Sequence, residues 1–232
     1  MTDLSQFPIT ARWPAADSSV IQLYSFPTPN GVKVSIALEE MGLAYEPHLV
    51  TLADSDVKSD EFLSLNPNNK IPAIIDPNGP DGPIGLWESG AILLYLSEKS
   101  GKFGGANAVE KAQITKWLMF QMGGLGPMFG QLGYFSKFAG REIEDPRPRQ
   151  RYIDEGKRLL AVVDKQLEGQ DWIAGDYSIA DMAIAPWLNA LEFYGTKDVL
   201  GYHDLKNVPA YVERFFARPA VAKAKNIPAR PT

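Results

Sequence analysis

The sequence predicts an α/β domain with the element order βαβαββα, followed by an all-helical domain. Three observations predict this fold class. Short strand-like runs alternate with stretches of helical periodicity in the first part of the chain. Glycine and serine accumulate at residues 100–105, which indicates a boundary near residue 103. Beyond this boundary the strand signals fade and only helical periodicity recurs.

A dense turn separates the first strand from the first helix. Residues 21–24 alternate as a strand does, and the segment 26–31 (Phe-Pro-Thr-Pro-Asn-Gly) ends it. Apolar residues then recur at helical spacing over 32–41, and Gly42 is typical of a helix end. Residues 1–18 are polar and aperiodic. We expect them to form an extension that lies over the first domain or is partly disordered.

The same signals predict the remaining elements of the first domain, which we place at residues 19–103. The expected elements are a strand at 45–50, a short helix at 59–63, a strand after Pro72, a strand at 84–87 and a helix from Ser89. The predicted helical domain covers residues 108–232 and ends in a proline-rich tail. Its expected helices lie at 108–121, 146–167, 178–194 and 209–217.

Composition excludes several classes of protein. The chain has 23 basic and 28 acidic residues and a net charge of −5, which argues against binding to nucleic acid or to an anionic membrane. The absence of a long apolar run and of a signal-peptide pattern predicts a cytoplasmic protein. The cysteine count is zero, so a disulfide, a thiolate metal site and a cysteine nucleophile are all excluded. His48 and His203 have no acidic cluster around them, so we expect no metal.

A turn containing Thr28 and Asn30 opens the first predicted helix. The N-terminus of a helix presents N–H groups that lack helical partners and the positive end of the helix dipole. An anion, including a thiolate, is stabilised there by about 0.3–1 kcal/mol, and by about 2 kcal/mol when partly buried. Cap statistics alone favour a plain turn with an N-cap for the same two residues. Both interpretations stay open on the sequence alone.

Two other pairs of residues are suited to holding a peptide. A cis bond between Ile71 and Pro72 would turn the Ile71 backbone toward an extended ligand, although only about 5–6% of X–Pro bonds are cis, so statistics favour trans. Ser89 as an N-cap would direct N–H groups at a carboxylate, and Glu88 would neutralise an ammonium group. Together they suit the head of an α-amino acid, yet an ordinary capped helix explains them too.

The order of these motifs resembles the glutathione transferase superfamily over essentially the whole chain after the extension. Residues 66–73 (Asn-Pro-Asn-Asn-Lys-Ile-Pro-Ala) resemble the loop before its cis-proline, and residues 88–92 resemble its glutamyl-binding turn. Ser178 and Asp181 match the folding box of its helical domain and form a capping box of structural role. Residues 28–31, 68–70 and 123–128 are most similar to the bacterial Nu class.

The resemblance implies a thioredoxin-like N-terminal domain, a homodimer, and a glutathione-dependent disulfide-bond reductase that works without a protein cysteine. Glutathione would be its co-substrate, with a small disulfide or electrophile as the second substrate. The implied site places Thr28 and Asn30 at the glutathione sulfur, Lys70, Ile71 and Pro72 along the tripeptide, Glu88 and Ser89 at its γ-glutamyl end, and Arg151 on the ligand. Arg147 and Arg149 are neighbours that leave the arginine assignment open.

Several alternatives remain at this point. A transferase or peroxidase that uses the same thiolate on electrophiles or hydroperoxides is the second hypothesis, and a non-catalytic module of the same fold is the third. Tyr24 ends the first strand and is expected to pack rather than to activate a thiol. The segment 120–135, rich in Gly, Met and aromatic residues, either lines the second-substrate pocket or belongs to a helix core that the glycines break.

Overall fold

The computed structural model describes residues 2–230, which divide into two compact units. Of the described residues, the first unit contains 2–102 together with 219–230, and the second contains 103–218. Within the described residues, every helix is too short or too polar to cross a membrane. These units are defined by which residues pack together and do not test where the domains begin and end. The predicted domain bounds, 19–103 and 108–232, therefore stay a prediction.

The first unit is built on a four-stranded sheet with the order β2-β1-β3-β4. Its strands are β1 (Ile21–Ser25), β2 (Tyr45–Leu49), β3 (Ala73–Gly79) and β4 (Gly82–Trp87). Strand β1 runs parallel to β2 and antiparallel to β3, and β4 is antiparallel to β3. Tyr24 pairs with Ala73, which pairs with Trp87, so the end of β1, the start of β3 and the end of β4 lie at one edge of the sheet.

Four helices follow the strands of this unit in sequence. They are α1 (Gly31–Met41), α2 (Asp54–Val57), α3 (Asp60–Leu65) and α4 (Ser89–Ser100). Helix α1 ends at Gly42, whose φ of 71° is the left-handed conformation expected of a glycine stop. The four-residue helix α2 was absent from the predicted elements, since so short a segment shows no periodicity. The order βαβαββα is otherwise confirmed, and with it the α/β class of the first domain.

The N-terminal extension covers the first unit. A 3₁₀ turn, Pro8–Ala11, buries Ile9 completely. The ring of Trp13 packs edge-on against Tyr24, at 6.5 Å between centroids, and its Nε1 donates to the Leu49 carbonyl at 3.0 Å. The first of the two expectations for this segment is therefore confirmed for its described part. Tyr24 is fully buried, and burial raises the pKa of its hydroxyl, in agreement with a packing role.

The second unit is helical, as predicted. Its helices are α5 (Ala108–Phe120), α6 (Gly126–Lys137), α7 (Pro146–Gln166), α8 (Ile179–Tyr194), α9 (Lys197–Leu200) and α10 (Val208–Phe216). Of the two interpretations of the segment 120–135, the one in which the glycines break a helix does not hold, because a π-helical turn, Gln121–Leu125, carries α5 directly into α6. Met119 is 49% exposed, so this residue of α5 does not belong to the helix core.

A capping box fixes the start of α8 and confirms the predicted role of its residues. The Ser178 hydroxyl accepts from the Ala180 N–H at 3.3 Å, and the Asp181 carboxylate accepts from the Ser178 N–H at 2.9 Å. Asp181 also accepts from the Ile173 N–H at 2.9 Å and from the Tyr211 hydroxyl at 3.0 Å. This buried carboxylate therefore ties together the start of α8, the preceding loop and α10.

The proline-rich C-terminal segment contains an element that the sequence did not predict. It contains a further helix, α11 (Pro219–Ala224), which packs on α1 within the first unit. The Ser35 hydroxyl donates to the Ala224 carbonyl at 3.0 Å, and Lys223 pairs with Glu39 at 2.8 Å. A proline at the first helical position is compatible with a helix, since its missing N–H has no intrahelical partner to lose there.

Candidate functional site

The turn between β1 and α1 is held by its own hydrogen bonds. The Thr28 N–H donates to the Phe26 carbonyl at 2.7 Å, and the Val32 N–H donates to the Thr28 carbonyl at 3.0 Å. The Thr28 hydroxyl oxygen accepts from the Gly31 N–H at 3.2 Å, in the manner of a cap. A hydroxyl that accepts through a lone pair can still donate its own hydrogen. Half-buried Thr28 is therefore equipped to donate to an anion in front of the helix.

Only glycine fits at the first residue of α1. A Cβ atom on Gly31 would lie 1.9 Å from the Phe26 carbonyl oxygen and 2.6 Å from the Ser25 hydroxyl. Both distances are far below van der Waals contact, so any larger residue would push the turn away from the helix. The fourth residue of the Thr-Pro-Asn-Gly motif therefore determines how closely Thr28 approaches the helix N-terminus.

Asn30 precedes α1, but its side chain makes no capping bond to the helix backbone. Its Oδ1 instead accepts from the Nζ of Lys33 at 2.8 Å. Asn30 therefore occupies the N-cap position without a side-chain capping bond, because the oxygen that would cap the helix binds this amine. Lys33 was absent from the predicted site. The signal in the sequence is a lysine between the apolar residues Val32 and Val34. The structure shows that helix α1 is buried on every side over most of its length, so this lysine is buried with it.

Helix α4 begins at Ser89, and Glu88 occupies the N-cap position. The prediction of Ser89 as N-cap is therefore wrong by one residue. Glu88 is exposed and has φ 71° and ψ 111°, a conformation that is strained for a residue with a Cβ. Ser89 is 5% exposed, and its hydroxyl accepts from the Lys33 Nζ at 3.4 Å.

Glu88 offers a stability test of this backbone strain. We expect Glu88→Gly to be more stable than Glu88→Ala by about 1–2 kcal/mol, because only glycine adopts positive φ without a steric penalty. Glu98, exposed within α4, is the matched control. At this position Glu98→Ala should be more stable than Glu98→Gly by about 1 kcal/mol, since glycine is the poorer helix former. Denaturant unfolding measures both pairs, and alanine as the more stable variant at both positions would contradict the strain.

A buried asparagine shapes the loop before β3. The Asn66 side chain, 1% exposed, accepts from the Asn68 N–H at 2.9 Å and donates to the Lys70 carbonyl. The Lys70 side chain itself is exposed. The bond between Ile71 and Pro72 is cis, so the expectation of trans from statistics is wrong and the one from the resemblance is confirmed.

The sheet brings three of the predicted segments together. The turn bearing Thr28 leaves the end of β1, Pro72 directly precedes β3, and Glu88 directly follows β4. Because Tyr24, Ala73 and Trp87 form one row across the sheet, all three segments emerge at the same edge. This edge is the candidate site, and backbone N–H groups at the starts of α1 and α4 belong to it.

Arg151 lies on α7 of the second unit and is exposed. Its neighbour Arg147 binds Asp145, at 2.9 Å from Nε and 2.6 Å from Nη2, at the start of the same helix. An exposed ion pair of this kind does not exclude Arg147 from a ligand site, so Arg147, Arg149 and Arg151 all stay candidates. The contribution of Arg151 to a ligand site stays a prediction.

The described residues hold no group of three or more His, Asp or Glu side chains arranged for a metal ion. His48 is buried, stacks on Tyr24 at 4.7 Å between centroids and contacts the Gln22 carboxamide at 2.8 Å. Burial lowers the pKa of His48, so the neutral ring is favoured.

Comparison with known proteins gives the class to which this fold and site belong. The N-terminal domain model of the glutathione S-transferase family matches residues 19–98, and its C-terminal domain model matches residues 131–219. The chain therefore belongs to the glutathione S-transferase family.

Within this family, the chain is similar to several individual proteins. The disulfide-bond oxidoreductase YfcG of Escherichia coli is 45% identical over 208 residues, 88% of this chain and 94% of the relative. A glutathione transferase from Burkholderia graminis, crystallised with two glutathione molecules per subunit, is 58% identical with a TM-score of 0.97 and covers 100% of this chain and 98% of its own. One from Pseudomonas putida, with one glutathione disulfide per subunit, is 55% identical with a TM-score of 0.97, at 98% and 100% coverage.

Proposed function

We propose that this protein is a glutathione-dependent disulfide-bond reductase that acts through a bound glutathione thiolate. The observation that carries the proposal is the turn at the start of α1. There the Thr28 hydroxyl accepts from the Gly31 N–H and can donate to an anion, in a chain with no cysteine. The similarity to YfcG, a protein named as a disulfide-bond oxidoreductase, supports the reaction class. The two similar crystal structures contain glutathione or its disulfide, the reductant and the oxidised product of such a reaction.

The residues at the sheet edge divide among the parts of glutathione. Thr28 and Asn30 donate to the sulfur, and the starts of α1 and α4 contribute positive dipole ends. The carboxylate of Glu88 binds the ammonium of the γ-glutamyl group, whose carboxylate lies at Ser89. The remaining proposed contacts come from Lys70, Ile71 and Pro72 along the peptide and from Arg151.

The proposed reaction proceeds by two thiol–disulfide exchanges. The first glutathione thiolate attacks one sulfur of the disulfide substrate, a new S–S bond forms, the old one breaks, and a thiolate leaves. A second glutathione thiolate attacks the mixed disulfide, which releases the other substrate thiolate and forms glutathione disulfide. Two glutathione thiols lose their protons and two substrate thiolates gain them. The substrate gains two electrons and the two glutathione molecules lose them.

The protein contributes position and electrostatics to this reaction. A free thiol has a pKa of about 8.5, so only a few per cent is thiolate at neutral pH. One pKa unit corresponds to about 1.4 kcal/mol of preferential interaction with the thiolate. A helix dipole and one or two hydrogen-bond donors supply this amount or more. At about 1.4 kcal/mol per pKa unit, we therefore expect the thiol pKa of bound glutathione to lie roughly one to two units below that of free glutathione.

Turnover of a mixed hydroxyethyl disulfide by glutathione, coupled to glutathione reductase, tests the proposal. We expect turnover well above the protein-free reaction, and conjugation of an aromatic chloride at a much lower rate. The opposite order would favour the alternative, a conjugating transferase. Glutathione binding without either activity would favour a non-catalytic module and contradict the proposal.

A further inference from the structure

A completely buried lysine connects the two turns of the candidate site. The Nζ of Lys33, on α1, lies 2.8 Å from Oδ1 of Asn30 and 3.4 Å from Oγ of Ser89. Asn30 directly precedes α1, and Ser89 is the first residue of α4. These two helices pack against each other in the first unit. A single amine therefore contacts a residue at each of two helix starts.

Packing alone does not explain an amine at this position. Lys33 is 0% exposed, and taking an ammonium group out of water is costly. Burial lowers the pKa of Lys33 well below its usual value, and the negative charge of Glu88 opposes this shift. An apolar side chain of similar length fills such a volume without this cost. What lysine adds at this position is hydrogen-bond donors directed at Asn30 and Ser89.

These donors determine the orientation of their two partners. An amine with two or three N–H groups has a donor for each partner, so both Asn30 and Ser89 present an oxygen lone pair to it. The carboxamide of Asn30 then turns its NH₂ group to the opposite side. The Ser89 hydroxyl can still donate its hydrogen. The two groups of glutathione assigned to these residues, the thiolate of its central cysteinyl residue and the γ-glutamyl carboxylate, are both anions that require donors.

We propose that Lys33 is a positioning residue, which binds Oδ1 of Asn30 and Oγ of Ser89 and thereby directs donors toward the thiolate and the γ-glutamyl carboxylate. The proposal rests on the proposed function and adds to it. Lys33 acts through Asn30 and Ser89, without touching glutathione. It also links the sites of the thiolate and of the γ-glutamyl carboxylate, since movement of Asn30 or Ser89 changes the contact that Lys33 makes with the other.

The test compares Lys33→Met, which has no donor, with Lys33→Gln, which keeps an NH₂ group. We expect Lys33→Met to lower kcat/KM for disulfide reduction by about tenfold, the loss typical of one hydrogen bond. The pKa of the bound glutathione thiol, followed by the ultraviolet absorbance of the thiolate, should rise. Lys33→Gln should recover part of both values. Ser35→Ala, which removes another buried polar group from α1, should leave both unchanged.

A double-mutant cycle with Asn30→Ala separates positioning from general structure. If Lys33 acts through Asn30, Lys33→Met has a smaller effect on the thiol pKa in the Asn30→Ala background. Equal effects in both backgrounds would overturn the proposal, as would wild-type kinetics and thiol pKa in a folded Lys33→Met variant. Should Lys33→Met fail to fold, the cycle is carried out with Lys33→Gln and decided by the same criteria. Calorimetry of glutathione binding to the wild-type protein tests the proposed function independently of Lys33. Absence of binding in this experiment would contradict the proposed function itself.

Discussion

Thr28→Ala is expected to lower kcat/KM for disulfide reduction by about 10- to 100-fold at neutral pH. A hydrogen bond to a charged group contributes about 1.5–3 kcal/mol, and the thiolate loses this contribution when the hydroxyl is removed. Asn30→Ala removes the second proposed donor and should have an effect of similar size. The double variant should retain little turnover above the protein-free reaction. Steady-state kinetics with the hydroxyethyl disulfide measures all three variants.

The pH dependence separates this effect from a loss of structure. Without a donor, the pKa of the bound thiol rises, so the rise of the pH–rate profile moves to higher pH. The deficit of Thr28→Ala should therefore shrink as the pH is raised. Thr28→Ser keeps the hydroxyl and the contact with the Gly31 N–H, and should stay near wild type. A Thr28→Ala variant with wild-type rate and pH profile would contradict the assignment.

A second threonine controls for the loss of a hydroxyl as such. Thr10 lies in the extension, where its hydroxyl donates to the Phe7 carbonyl at 2.8 Å. Thr10→Ala removes a side-chain hydrogen bond of the first unit without changing the turn at α1. We expect its kcat/KM to equal that of the wild type.

Asp181→Ala is expected to lower the free energy of unfolding by about 3–5 kcal/mol, the largest effect on stability that we predict. The substitution removes the acceptor of the buried N–H groups of Ile173 and Ser178 and of the Tyr211 hydroxyl. Buried donors without an acceptor carry their full desolvation cost. Asp181→Asn keeps one oxygen and should lose less. Denaturant unfolding, with its slope compared between variants, measures the difference.

The stability contributed by Asp181 should depend on pH. Burial raises the pKa of this carboxyl to about 6 from 3.8, although four hydrogen bonds oppose the shift. The folded state thus binds the proton more tightly than the unfolded state does. This group therefore adds most stability below about pH 4, and the contribution falls as the pH rises to about 6.

The Asn variant provides the reference for this titration, because it cannot lose a proton. The stability advantage of the wild type over Asp181→Asn should fall by up to about 3 kcal/mol between about pH 4 and pH 7. A double variant with Tyr211→Phe would show whether the hydroxyl shares in the effect. An advantage that is constant, or that grows with pH, would contradict the raised pKa.

Elements with short-range signals were predictable from the sequence. The turn at residues 26–31 and the glycine stop at Gly42 have their causes within a few residues, so α1 was placed to within one residue. The capping box of Ser178 and Asp181 depends on a spacing of three residues and was predicted for the same reason. The absence of cysteine excluded a protein thiol directly.

Features that depend on distant contacts were not predictable in this way. Helix α11 begins with a proline and buries Val221 and Ala224. It packs against α1, whose Ser35 is 189 positions before Ala224 in the chain. The continuous path from α5 to α6 depends on a π-helical turn that no periodicity indicates. Each of these outcomes is set by packing between elements, which overrides local propensity.

The sequence by itself determined the order of the main elements, apart from helices such as the short α2 and α11, together with the absence of a protein thiol and the segments that carry the candidate site. Only the tertiary structure decided how these segments meet. The sheet register aligns Tyr24, Ala73 and Trp87 and so gathers three distant segments at one edge. The contacts of Lys33 with Asn30 and Ser89 depend on the packing of α1 against α4. Neither local propensity nor spacing along the chain carries information about such contacts, because the partners are brought together only when the sheet and helices pack.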